Sequence, residues 1–335
     1  ICIYILIDIY AFQAVRTFTR SNWALGFYFL VSIIVIGNFI YQWTQPTEGK
    51  VLSVERSYAL GFVLTFMVSK IIIVLFLFGE DIVRFFMAVY NKFSRSDADF
   101  TFQSRRKFLS TIALGVAAVP FASLIYGMYQ GKYNYRVIRQ NLFFDDLPDA
   151  FDGYKIIHIS DIHSGSLESK KEIEHAIKLL NEQEGDIVLF TGDLVNNMAS
   201  EMTPWMDVFG NIKAKDGVFS VLGNHDYGDY VDWKTAAAKD YNLSSVKEVH
   251  KNLGWDLLLN ESRFIERNGQ RIALIGVENW GIGGFKKAGD IDKAAANVDA
   301  SDFKVLMSHD PSYWQEKIKS DSKNYHLTRL RSSNS

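Results

Sequence analysis

Tyr154-Lys155-Ile156-Ile157-His158-Ile159-Ser160-Asp161-Ile162-His163 is the stretch that decides how the second half of this chain is read. An apolar, isoleucine-rich run opens after Gly153 and closes on Asp161, which predicts a buried strand over 154–160. Residues i and i+2 of an extended segment point the same way, so Asp161 and His163 can share one cation beyond the carboxyl end of that strand. Further along, apolar runs at 186–191, 218–222, 272–277 and 303–308 predict more strands, and 168–181 has helical spacing through Ile173, Ile177 and Leu180. Strands alternating with helices imply a layered α/β domain, and in such sheets functional groups gather at the carboxyl ends of strands.

The polar residues follow that rule. The second run ends in Thr191-Gly192-Asp193-Leu194-Val195-Asn196, the third in Gly223-Asn224-His225-Asp226, and the run at 303 in Ser308-His309-Asp310. Gly192 allows the sharp turn that presents Asp193 at the sheet edge. A lone D-x-H is a weak signal, since polar turns often contain one; four such endings in one α/β domain form a constellation. Of the other histidines, His158 reads as a core or sheet-face residue, His175 and His250 as solvated, and His326 carries no role. The chain has one cysteine, Cys2, so no disulfide can form within it, and a metal site must draw on His, Asp, Asn or Glu. A net charge of −2 with no basic stripe gives no footprint for nucleic acid.

The first half has a different composition. Crossing the hydrocarbon core takes about 20 apolar residues in a helix. Residues 24–43, 58–78 and 108–128 supply three such stretches, and 1–15 reads as the remnant of an earlier span in a sequence cut at its start. The runs are apolar all round, unlike soluble core helices. The domains are therefore a helical transmembrane region over 1–130 and an α/β domain over 131–335. Between spans, 81–93 has amphipathic spacing and is expected to lie along the inner surface. Arg16, Arg20, Arg84, Lys92, Arg95, Arg105, Arg106 and Lys107 mark the cytoplasmic side, which places everything after Met128 outside the cytoplasm. Ser104-Arg105-Arg106-Lys107-Phe108-Leu109 also resembles a twin-arginine export string, or serves as a basic flank of the last span. Asp8 and Lys70 interrupt apolar runs at matching depth, so the first and third spans are predicted to be neighbours with these two charges paired.

Taken in order, D-x-H, G-D-x-x-N, G-N-H-D and S-H-D resemble the calcineurin-like metallophosphoesterase family. The approach through Leu147-Pro148 and Phe151-Asp152-Gly153 resembles its membrane-bound bacterial branch. That resemblance implies a phosphoester or pyrophosphate hydrolase with two divalent cations (Mn, Fe or Zn) that activate a hydroxide. By it, Asp161 and His163 hold one cation, Asp193 bridges both, and Asn224 and His309 hold the second. His225 would face the substrate and protonate the leaving oxygen, while Asp226 and Asn196 orient the ligands. It further implies a phosphorylated small-molecule or lipid-linked substrate, while the spans and their basic flanks imply contact with membrane lipids and an inner-membrane protein whose catalytic domain is extracytoplasmic. The family pattern adds a G-H-x-H after a further strand, and residues 324–335 read Asn-Tyr-His-Leu-Thr-Arg-Leu-Arg-Ser-Ser-Asn-Ser instead. The sequence is therefore expected to be truncated at its end, and an inactive scaffold that retains the fold is the alternative to an enzyme.

Overall fold

The computed structural model describes residues 2–46, 52–94, 102–319 and 325–327. It divides into two compact units with a boundary between Asn134 and Tyr135.

The first unit consists of four helices: α1 (Cys2–Phe18), α2 (Asn22–Thr44), α3 (Val54–Ser94) and α4 (Phe102–Tyr129). The last three are long and apolar enough to cross a membrane. Their burial is inverted relative to a soluble bundle. Helix α2 buries only Ser32 and Val35, while Trp23, Phe27, Leu30, Ile33 and Ile34 face outward. Lipid is the solvent that accepts such a surface. Inside, small residues let the backbones approach: Ala11 and Ala14 of α1 and Ala117 of α4 close around Ile73 and Leu77 of α3.

The interior also holds charge. Lys70 Nζ lies 2.5 Å from Asp8 Oδ1, and Lys70 donates to Ser32 Oγ at 2.7 Å and to Tyr4 Oη at 3.1 Å. Ser32 in turn donates to Asp8 Oδ1 at 3.0 Å. The pairing of Asp8 with Lys70 across the first and third spans is thus present, with α2 supplying a hydroxyl to both. Nearer the end of α3, Asp81 accepts from Tyr10 at 2.6 Å and from Arg106 at 2.7 Å.

One expectation needs correction here. Residues 81–93 are not a separate surface helix; they continue α3, which runs unbroken for 41 residues, from Val54 to Ser94. At 1.5 Å per residue it is about 60 Å long, roughly twice the hydrocarbon thickness. The start of the 81–93 segment is tied to α1 and α4 through Asp81, while Ile82, Val83, Phe85, Phe86, Val89, Tyr90 and Phe93 stay exposed.

The second unit contains two four-stranded sheets. In the first, β1 (Ile156–Ile159), β2 (Ile187–Phe190), β3 (Val218–Ser220) and β4 (Asp256–Leu257) are all parallel and in sequence order. The connections are α5 (Lys170–Asn181), the short α6 (Met206–Phe209) and α7 (Ala236–Asn252). In the second sheet, β5 (Glu261–Arg267) and β6 (Gln270–Gly276) form an antiparallel hairpin; β7 (Phe303–Met307) and β8 (Tyr325–Leu327) extend it in parallel. Short helices α8 (Ile291–Ala294) and α9 (Pro311–Tyr313) flank β7 in sequence.

Alternation of side chains along each strand assembles the layers. On β2, Ile187 and Leu189 pack against Leu274, Phe303 and Val305 of the second sheet, while Val188 and Phe190 pack against Ile173 and Ile177 of α5. On β6, Leu274 points into the space between the sheets and Ile275 away from it, toward Leu306 and Tyr313. Two sheets therefore face each other with helices on their outer sides, an α/β layered domain with a parallel sheet.

Candidate metal centre

Three loops leave the carboxyl ends of β1, β2 and β3 side by side, and backbone hydrogen bonds lock their register. Asp161 donates its N–H to the Gly192 carbonyl, His163 to that of Asp193 and Ser164 to that of Leu194, each at 3.0 Å. The loops approach so closely that a Cβ on Gly192 would lie 2.4 Å from the Gly223 nitrogen, and one on Gly223 would lie 2.2 Å from Asp193 Oδ1. Both glycines are needed for that contact. Asp161, His163 and Asp193 have φ of 55°, 47° and 60°, three of the six non-glycine residues with positive φ among the described residues. Backbone strain gathered in one place is a mark of a site held for function.

These loops bring together Asp161, His163, Asp193, Asn224, His225 and, from the end of β7, His309. Asp193 stands at the centre. Its Oδ2 is 3.5 Å from His163 Nε2 and 3.4 Å from His309 Nε2, and its Oδ1 accepts the His225 N–H at 2.9 Å. The ligand-type atoms fall into two overlapping groups, His163–Asp193–His225 and Asp161–Asp193–His309, with all atoms of each within 4.8 Å of one another. Asp193 belongs to both. Asp161 Oδ1 is also 3.9 Å from His163 Nε2. His225 falls inside one group, with its ring edge-on to His163 at 4.7 Å between centroids.

The donor set fits divalent cations. His309 Nδ1 lies 2.8 Å from the Thr191 carbonyl, which can only accept, so Nδ1 carries the proton. The opposite nitrogen, Nε2, then faces two oxygens, Asn224 Oδ1 at 3.1 Å and Asp193 Oδ2 at 3.4 Å. Three electron-pair donors converge, and only a proton or a cation reconciles them. His225 is oriented in the same manner, its Nδ1 2.7 Å from the Asn196 carbonyl. A backbone carbonyl behind each imidazole is the usual way to aim the other nitrogen at a metal.

Burial acts to lower the pKa of His309, but the hydrogen bond and charge of Asp193 overcome it and push the imidazole up to about 9. Burial acts to raise that of Asp193, and His309 with the His225 N–H holds it below the usual carboxylate range.

Asp226 supports the arrangement from beneath. It is fully enclosed, and its Oδ2 accepts the N–H groups of Asp193 and Gly223, its Oδ1 those of Leu194 and Val195. Burial pushes its carboxyl up to about 7, the charge on Asp193 adds to that, and the backbone N–H groups of Gly223 and Val195 oppose it. Asn196 donates to Ser166 Oγ at 2.9 Å and lends its carbonyl to His225.

Two supports were not read from the sequence. Glu201 accepts the N–H groups of Asn196, Asn197 and Met198 and so fixes the loop after β2; an acidic side chain five residues past a G-D-x-x-N is the signal that could have marked it. His158 sits within β1 with Nε2 2.9 Å from Thr191 Oγ1, and burial lowers its pKa. It thereby buttresses the residue whose carbonyl aims His309. His250 needs correction: it is not solvated but fully buried, on the inward stripe of α7 with Val246. His175 is exposed. The G-H-x-H expectation falls on residues after Leu327, outside the described residues.

Sheet, loops and donor set together define a metallophosphoesterase-type domain behind a helical membrane region. Residues 154–332 match the family described as "Calcineurin-like phosphoesterase", and the chain belongs to that family. Residues 1–132 match "Probable Calcineurin-like phosphoesterase, transmembrane domain", so this is an integral membrane protein. An uncharacterized metallophosphoesterase of Helicobacter pylori strain 26695 is 25% identical over 250 residues, 75% of this chain and 61% of that protein. A second one, from Helicobacter pylori strain J99, is 24% identical over 91% of this chain and 74% of its own length. A zebrafish "Transmembrane protein with metallophosphoesterase domain" is 24% identical over 62% of this chain. The chain thus spans about three-fifths of the first of these relatives and 45% of the zebrafish protein.

Proposed function

We propose that this chain is a membrane-anchored hydrolase of phosphate esters or pyrophosphates that works through two divalent cations. The observation that carries the reading is Asp193, one buried carboxylate shared by two groups of ligand-type atoms. By the family resemblance Asp161 and His163 would hold one cation and Asn224 and His309 the other, with Asp193 between them, although the observed groups set Asp161 with His309 and His163 with His225. The mixture of carboxylate, amide and imidazole suits Mn, Fe or Zn. Bound there, the cations would neutralise phosphate charge and supply Lewis acidity.

The chain's own groups do the rest. His225, with Nδ1 committed to the Asn196 carbonyl, keeps Nε2 for the substrate. As an imidazolium it can donate a proton to the departing oxygen, a contribution of about 10²–10⁴-fold. Asp226 and Glu201, by gathering the backbone N–H groups of the loop after β2, keep Asp193 in place. The substrate class is a phosphorylated small molecule or a lipid-linked phosphate, and the distribution of basic residues around the spans supports an extracytoplasmic domain, with membrane lipids as its surroundings.

Full-length protein purified in detergent, supplied with Mn²⁺ and an aryl phosphate, tests the reading. Mn²⁺-dependent release of the phenol is expected, and Asp193→Asn should lower it by more than about 100-fold, because both cations lose a ligand. Turnover indifferent to Mn²⁺, or unchanged in Asp193→Asn, would falsify the assignment.

A further inference from the structure

We propose that Tyr230 is a positioning residue of the metal centre, holding Asn224 in the one orientation in which its oxygen faces the second cation. The inference rests on the ligand assignment above and adds a residue that no motif includes.

Tyr230 Oη lies 2.8 Å from Asn224 Nδ2, and Asn224 Oδ1 lies 3.1 Å from His309 Nε2. An amide has two ends of nearly equal size and opposite polarity. Turned over, Asn224 would present N–H groups to the cluster, where they repel a cation. In the observed orientation the phenol oxygen accepts the amide N–H, and Oδ1 is left to the cluster. The ring of Tyr230 also covers one side of His225, with centroids 4.5 Å apart and planes tilted by 34°. His225 is thereby held between Tyr230 and His163.

The loop that carries Tyr230 is built to be stiff. Gly228 turns it with φ of 65°, and Trp233 Nε1 donates to the Gly228 carbonyl at 2.7 Å. Trp233 N–H returns to the Val231 carbonyl at 3.1 Å, and Lys239 pairs with Asp229. A side chain on so anchored a loop can fix an amide, since little freedom remains to be lost when the hydrogen bond forms.

Calorimetric titration of the full-length protein with Mn²⁺ alone tests this, without reference to turnover. Tyr230→Phe keeps the ring on His225 and removes the acceptor, and should weaken binding of one Mn²⁺ by about tenfold, the lower end for a residue that orients a ligand. In an Asn224→Asp background either end of the side chain is an oxygen, so the same Tyr230→Phe change should cost less than about twofold. Such non-additivity is the mark of two groups acting through one another, and a merely structural tyrosine would not produce it. Equal affinity in wild type and Tyr230→Phe overturns the proposal, as does the same loss in both backgrounds. Absence of Mn²⁺ binding by the wild type overturns the ligand assignment itself and the proposal with it.

Discussion

Both units of this molecule keep charge inside, and they do so in opposite ways. In the helical unit, Asp8 meets Lys70 at 2.5 Å, and Ser32 and Tyr4 take up the remaining hydrogen-bonding capacity. Positive and negative cancel, and the three N–H groups of Lys70 are matched by Asp8, Ser32 and Tyr4. In the α/β unit, Asp193 is surrounded by Asp161, Asn224 and the imidazoles of His163, His225 and His309. Acceptors outnumber donors there, and the cluster is open to a cation. A buried charge beside a permanent counter-charge is a structural device; carboxylate, amide and imidazole groups aimed at a common point indicate a site.

The largest effect that would sharpen this contrast lies in the bundle. Lys70→Leu leaves Asp8 buried and unmatched, and should lower stability by about 3–5 kcal/mol. Lys70→Leu combined with Asp8→Leu removes both charges and should recover most of that loss. The midpoint of denaturant unfolding in detergent measures both, and a double variant no better than the single one would show that the pair does more than cancel. Next comes Asp226→Asn, which sets an amide NH₂ against two of the four backbone N–H groups that Asp226 now satisfies. Loss of two hydrogen bonds, with two buried N–H groups left unsatisfied, should cost about 3 kcal/mol. Weaker Mn²⁺ binding should accompany it, since those N–H groups place Asp193; titration of the variant would reveal unaltered binding if they do not.

The smallest effect concerns a third kind of interior group. Both ring nitrogens of His250 lack a hydrogen-bond partner among the described residues, and the ring lies against Phe190 and Trp255. Burial pushes its pKa down to about 3, below the unfolded value of about 6.5. Within that window the unfolded chain binds the extra proton, so stability is complete above it and falls as pH drops through it. The slope is about 1.4 kcal/mol per pH unit. His250→Leu should flatten it; unfolding midpoints of wild type and variant at pH 7, 6 and 5 that run parallel would show the imidazole to be hydrated.

Local composition was enough to make much of this molecule legible. The apolar runs are long because a bilayer is thick, and the strand-end motifs stand out because carboxylates and imidazoles after buried β-branched runs have few structural uses. Even the Asp8–Lys70 pair could be placed, since helical rise turns sequence distance into depth. Where helical phase or loop geometry decided a contact, the sequence was silent or misleading. The 81–93 segment has the spacing of a surface helix, yet it continues α3 without a break, and Tyr10 and Arg106 reach Asp81 from α1 and α4. His250 is followed by a lysine, yet helical phase turns it inward beside Phe190. Tyr230 and Glu201 belong to no motif, because their partners, Asn224 and the N–H groups after β2, become neighbours only through loop geometry. Sequence determines which residues can ligate, pair or span, because those are properties of side chains and of local repeats. Which nitrogen of His309 faces the cluster and which end of Asn224 does were decided by the tertiary structure alone, since each depends on a backbone group or side chain brought from a distant element.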